Sequence, residues 1–72
     1  MTVEWIEVHF PGTRDVYIDD RIAGPTNIPL TTREGAQKID LGPESGYTPR
    51  SRRVTVTNTA FDDPKIVTFL AT

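Results

Sequence analysis

The stretch Arg33–Val56, REGAQKIDLGPESGYTPRSRRVTV, decides how this chain folds. It holds three glycines and two prolines, and no helical apolar period survives between them. What remains are two short alternating runs. Ile39 and Leu41 share one parity in Gln37–Leu41, and Val54 and Val56 share one in the run to Thr57. Successive side chains of a strand point to opposite faces, so each run predicts a half-buried strand. Glu34-Gly35 reads as the turn before the first run, and Gly42–Gly46 as the loop after it. Thr31 and Glu34 match the spacing of a helix capping box, but Gly35 falls within the first turn and no apolar stripe follows. A strand is expected here.

Working outward, Val16-Tyr17-Ile18 predicts a strand with Val16 and Ile18 inward, closed by a hairpin turn at Asp19-Asp20-Arg21. Ile22-Ala23 continues to Gly24-Pro25. Pro25 and Pro29 each remove a ladder donor, so the segment after Gly24 is a poor interior strand, with Ile28 and Leu30 expected to face the core. Val3–Phe10 is rich in β-branched and aromatic residues, but its apolar parity changes between Trp5 and Ile6, which predicts a bulge. Trp5 and Phe69 are expected in the core. Asn58–Pro64 reads as a longer turn and Lys65–Leu70 as the last strand, whose two-sided apolar content predicts that it is well covered, with a partner as one source of cover. The expectation is an all-β chain: a small antiparallel β-sandwich of about six or seven short strands in one domain, residues 1–72.

Composition sets further bounds. A chain of 72 residues buries only about 60% of its unfolded surface, which leaves little scaffold for an enclosed catalytic cleft. Without cysteine there is no disulfide or thiolate metal site to brace it. The net charge of −2 argues against bulk attraction to nucleic acid or anionic membrane. No run approaches the roughly 18 apolar residues of a membrane span, so no membrane insertion is expected. The N-terminal MTVEWIEVHF has no basic region followed by an apolar one, so it is not a signal peptide. A free-standing chain of this kind is expected in the cytoplasm, and a domain excised from a longer protein at the envelope or surface.

The order of features resembles the PEGA domain, a small bacterial and archaeal β module named after a Pro-Glu-Gly-Ala turn. The resemblance runs through Val16-Tyr17-Ile18-Asp19-Asp20, Gly24-Pro25-Thr26, Leu30, Glu34-Gly35-Ala36, Ile39 with Leu41, Gly46-Tyr47, Val54-Thr55-Val56 and Ile66–Leu70. It covers about Thr13 to Leu70, leaving most of Val3–Phe10 outside. Arg33 stands at the position of the name-giving Pro, Pro25-Thr26 inverts the usual order, and Asp20 stands where Gly is usual. The resemblance implies a non-catalytic sandwich, often appended to bacterial envelope or surface proteins, without an established common ligand.

Candidate chemistry is sparse. Gly42-Pro43-Glu44-Ser45-Gly46 differs from the Gly-x-Ser-x-Gly nucleophile elbow in spacing, and His9 is the only histidine able to serve as its base. Asp15, Asp19 and Asp20, or Asp62 and Asp63, do not follow a calcium-loop pattern and read as turn formers. No catalytic residue, metal or cofactor is expected. Arg50, Arg52 and Arg53 form the one charge cluster, with Tyr47 close enough in sequence to add stacking. The leading expectation is a structural or protein-interaction module that engages another protein or a neighbouring domain by pairing an edge strand, either Val3–Phe10 or Lys65–Leu70. The alternative is nucleic-acid or polyanion binding through Arg50, Arg52 and Arg53.

Overall fold

The computed structural model describes residues 2–72 and contains nine strands among them. In chain order these are β1 (Val3–His9), β2 (Asp15–Ile18), β3 (Arg21–Pro25), β4 (Pro29–Arg33), β5 (Gly35–Asp40), β6 (Tyr47–Thr48), β7 (Arg52–Val56), β8 (Lys65–Thr68) and β9 (Leu70–Ala71). One sheet has the order β4-β1-β8 and another β3-β2-β5-β7, while β6 and β9 form a small third ladder. The expected small all-β sandwich is present. Pairing is antiparallel except between β1 and β8, which run parallel. Among the described residues no helix is long and apolar enough to cross a membrane.

The core is built from alternate residues of both main sheets. Ile6 and Val8 of β1, Leu30 of β4 and Val67 of β8 belong to one cluster with Val16 of β2, Ile39 of β5 and Val56 of β7. Leu41, Tyr47 and Phe69 complete it. The strand predicted over Gln37–Leu41 is therefore in place, with Ile39 and Leu41 inward as expected. Gln37 shares that parity and is fully buried. It is accommodated because its amide nitrogen donates to Arg33 O at 2.6 Å and its amide oxygen accepts from the Thr32 hydroxyl.

The expectations about β1 are corrected on two counts, its local geometry (no bulge, and Trp5 outside the core) and its place in the sheet. Its ladder with β4 is continuous from Val3 to Glu7, so there is no bulge at Trp5-Ile6. The inward parity is Glu4, Ile6 and Val8, which turns Trp5 to the outer face. There it is half-buried, edge-on to Phe61 with ring centroids 5.2 Å apart. The apparent change of parity came from an aromatic covered by a loop and from a carboxylate placed inward. The second correction is topological: β1 is the central strand of its sheet and offers no edge.

Elsewhere Ile28 is exposed, although Leu30 faces the core as expected. Ile66 and Leu70 are also exposed, so the last strand is covered on one face only. The register shift lies between Val16 and Tyr17, where Ala23 of β3 is the extra residue. Prolines sit at the edges, Pro25 ending β3 and Pro29 starting β4, where a missing donor costs no internal ladder bond.

The β2–β3 hairpin turns through Asp19 and Asp20, both with positive φ, 50° and 69°. Two such central residues define the type I′ turn that matches the right-handed twist of the flanking strands. The left-handed region costs about 1 kcal/mol or more for most L-residues, less for Asp, and nothing for glycine. Asp20 also pairs with Lys38 at 2.7 Å, but across an exposed surface where such pairs contribute little. Asp20→Gly is expected to raise the urea unfolding midpoint, and Asp20→Val to lower it. A lower midpoint for the glycine variant would mean that the ion pair outweighs the backbone strain.

Candidate functional site

The loop after β5 is held by two arginine side chains. Arg14, just before β2, donates to the carbonyl oxygens of Leu41 (3.2 Å), Glu44 (3.1 Å) and Ser45 (2.9 Å). Arg50, just before β7, donates to those of Gly42 (3.2 Å), Pro43 (3.2 Å) and Glu44 (3.2 Å). Every backbone carbonyl from residue 41 to 45 thus accepts from a guanidinium. A loop has no ladder partner for its carbonyls, and arginine's fork of donors meets several at once. Both groups also lie over the Tyr47 ring, 4.8 Å from its centroid for Arg14 and 4.3 Å for Arg50. The Tyr47 hydroxyl donates to Gly42 O at 2.6 Å, and Phe69 meets its ring edge-on. Gly42 has φ +95°, and a Cβ there would fall 2.9 Å from the Tyr17 ring, so glycine is required for this approach.

The sequence-predicted site residues are therefore distributed over different tasks. Tyr47 is buried at 3% exposure, with Arg14, Arg50 and Phe69 against its ring, and is not an open stacking platform. Arg50 is committed to the loop. Arg52 donates to Thr68 O at 3.3 Å. Arg53, the next residue of the same strand, points to the opposite face, beside Lys38 of β5. The three arginines do not gather on one surface. Arg14, absent from the predicted set, is the residue that joins Arg50.

The other candidates are likewise accounted for. His9 Nε2 is 2.6 Å from Glu7 Oε2, and Ser45 lies exposed in the clamped loop with its carbonyl on Arg14. Asp19 accepts from Lys38 N and from Arg33, each at 2.9 Å. The Lys38 amide, followed by Arg33, holds its carboxyl below the usual carboxylate range. Among the described residues no three His, Asp or Glu side chains gather as a metal site would require. A surface groove of about 420 Å³ runs between Tyr17, Lys38, Asp40, Arg50 and Ser51. Its Lys38 already pairs with Asp20 and its Arg50 with the loop.

The open feature is β8. It is an edge strand, paired on one side with β1. In a parallel ladder alternate residues direct both backbone groups toward the same neighbour. Phe69 N donates to His9 O at 3.0 Å, which assigns Phe69, Val67 and Lys65 to the β1 side. Ile66 and Thr68 then direct their backbone groups away from the sheet, as the Arg52 bond to Thr68 O requires. Ile66 is 47% exposed beside this edge.

At the opposite end, Glu4 is only 5% exposed within the sandwich. Its Oε1 accepts from Thr59 N (2.9 Å) and the Thr59 hydroxyl (2.7 Å). These two bonds lower its pKa from the ordinary value, against the opposing effect of burial. They also pin the loop that carries Phe61 over Trp5.

No family model matches this chain, and neither curated proteins nor solved structures give a significant match.

Two outcomes test these assignments. Arg50→Met is expected to cost roughly 1–2 kcal/mol in urea unfolding through loss of charge-assisted bonds, and Arg53→Met to stay within about 0.5 kcal/mol, as free surface positions do. Equal losses would show that the clamp contributes nothing. For Glu4, a folded pKa below the unfolded one gives stability that is present above the unfolded value and is lost as pH falls through the folded one. Glu4→Gln keeps an acceptor for Thr59 and removes the titration. Its unfolding midpoint is expected to fall less than that of the parent chain between pH 5 and about pH 3. Parallel pH profiles would contradict the clasp.

Proposed function

We propose that this chain is a non-catalytic, PEGA-like interaction module that engages an extended segment of another protein or a neighbouring domain along the β8 edge. The observation that carries this reading is the outward direction of the Ile66 and Thr68 backbone groups next to the exposed Ile66 side chain. Unpaired edge groups are a template for a further strand, and flanking side-chain positions give selectivity. The other edges of the two main sheets are less suited. β3 carries the bulge and Pro25, β4 begins at Pro29, and β7 carries Arg52 and Arg53.

The PEGA-like part of the proposal is supported at two turns. Gly35, in the Glu34-Gly35 turn, has φ +121°, a value that favours glycine. Tyr47, in Gly46-Tyr47, is buried and ties its ring hydroxyl to Gly42 O. For the non-catalytic part, His9 is engaged by Glu7 at 2.6 Å and Ser45 lies in the loop clamped by Arg14.

Amide hydrogen exchange tests the edge. The amides of Val67 and Phe69 are expected to be protected by the ladder with β1, and those of Ile66 and Thr68 to exchange at close to free rates. Equal protection at all four in the isolated chain would mean that the edge is already covered, and edge pairing would be ruled out.

A further inference from the structure

Resting on the edge-pairing reading, we infer that the segment received by β8 is acidic, and that its carboxylate draws Arg52 off the Thr68 carbonyl to open the edge. The outward Thr68 carbonyl is met by Arg52, reaching across from β7, and the exposed Lys65 starts the strand. One carboxylate lies close by: Glu7 is in register with Ile66 and borders, with Thr68, a depression at the end of β8. It is engaged by His9 at 2.6 Å. Asp62 and Asp63 precede Pro64, in a turn closed by the Ala60–Asp63 bridge. Arg52 is thus the cation in contact with the open edge, although the whole chain carries a net charge of −2.

Arg52 is held at the edge by a single 3.3 Å bond to a neutral carbonyl. A carboxylate makes a shorter, charge-assisted and often bidentate bond to a guanidinium, so it displaces that carbonyl. The exchange frees Thr68 O, the outward acceptor that an incoming strand needs for its own N–H. Apolar side chains of the incoming strand on the same face meet Ile66 and, toward the end of β8, the depression of about 380 Å³ bordered by Glu7, His9, Phe10, Thr68 and Leu70. A second copy of this chain is a poor occupant. Pairing through the same edge brings two Lys65 and two Arg52 side chains to one seam, and like charges facing each other across a ladder are destabilising.

The test is an amide-shift titration with three capped hexapeptides, Thr-Val-Glu-Val-Thr-Val and its Gln and Lys counterparts at the third position, at low salt. Shifts are expected at Ile66 and Thr68, in the affinity order Glu, Gln, Lys. The Glu peptide should bind roughly three- to tenfold tighter than the Gln peptide, a difference set by one or two exposed ion pairs and reduced by added salt. The preference should collapse in Arg52→Gln, and Lys65→Gln serves the same purpose if the first variant does not fold. Equal affinities for the three peptides, or self-association seen by sedimentation with shifts along β8, would overturn the acidic preference and leave edge pairing standing. No shift at Ile66 or Thr68 with any peptide would overturn the edge-pairing reading and this inference with it.

Discussion

Two guanidinium groups, Arg14 and Arg50, carry the five consecutive carbonyls of Leu41–Ser45 and lie over the same buried tyrosine. Much of the molecule depends on that arrangement. The loop joins β5 to β6, and its two ends, Leu41 and Tyr47, both belong to the core. β6 in turn pairs with β9, and Thr72 N donates to Gly46 O, so the C-terminal strand is positioned by the same loop. In a sandwich this small, where no large core exists to dictate loop conformation, dispersed hydrogen bonds from charged donors take that role. The same commitment engages the Arg50 guanidinium with the loop although the residue stays exposed.

A second constraint acts at the other end of the chain. β1 lies between β4 and β8, so the first strand and one of the last are neighbours, and their parallel pairing closes the sandwich over its longest sequence separation. That places β1 at the centre of its sheet, although it lies mostly outside the segment on which the family resemblance rests. It also leaves β8 as the flanking strand. Edge strands are normally blunted by bulges, prolines or charges. Here β3 and β4 carry such devices, while β8 has Pro64 before it, Lys65 at its start and the reach of Arg52 across it.

Strand content and most turns were legible because they depend on period and on punctuating residues. Ile39 and Leu41, Val54 and Val56, and the aspartate turn all fall where alternation and turn chemistry place them. What was not legible depends on contacts distant in sequence. Trp5 looked like core until Phe61, more than fifty residues away, was seen to cover it on the outer face. Glu4 on an inward position made sense only with Thr59 as its donor pair. Arg14 gave no signal because its partners are backbone carbonyls, which leave no mark in the identity of the residues that bear them. The arginine cluster misled for a related reason. Neighbours in sequence on a strand alternate faces, so Arg52 and Arg53 point to opposite faces.

The most direct measurement is the nitrogen-15 spectrum of the arginine side chains. A guanidinium held at several carbonyls rotates slowly about its Cζ–Nε bond and shows separate Nη resonances, whereas a free one averages them. The clamp requires separate resonances for Arg14 and Arg50 and averaged ones for Arg53. An Arg50 that averages as Arg53 does would contradict it, and would return that side chain to the pool of surface cations open to a ligand.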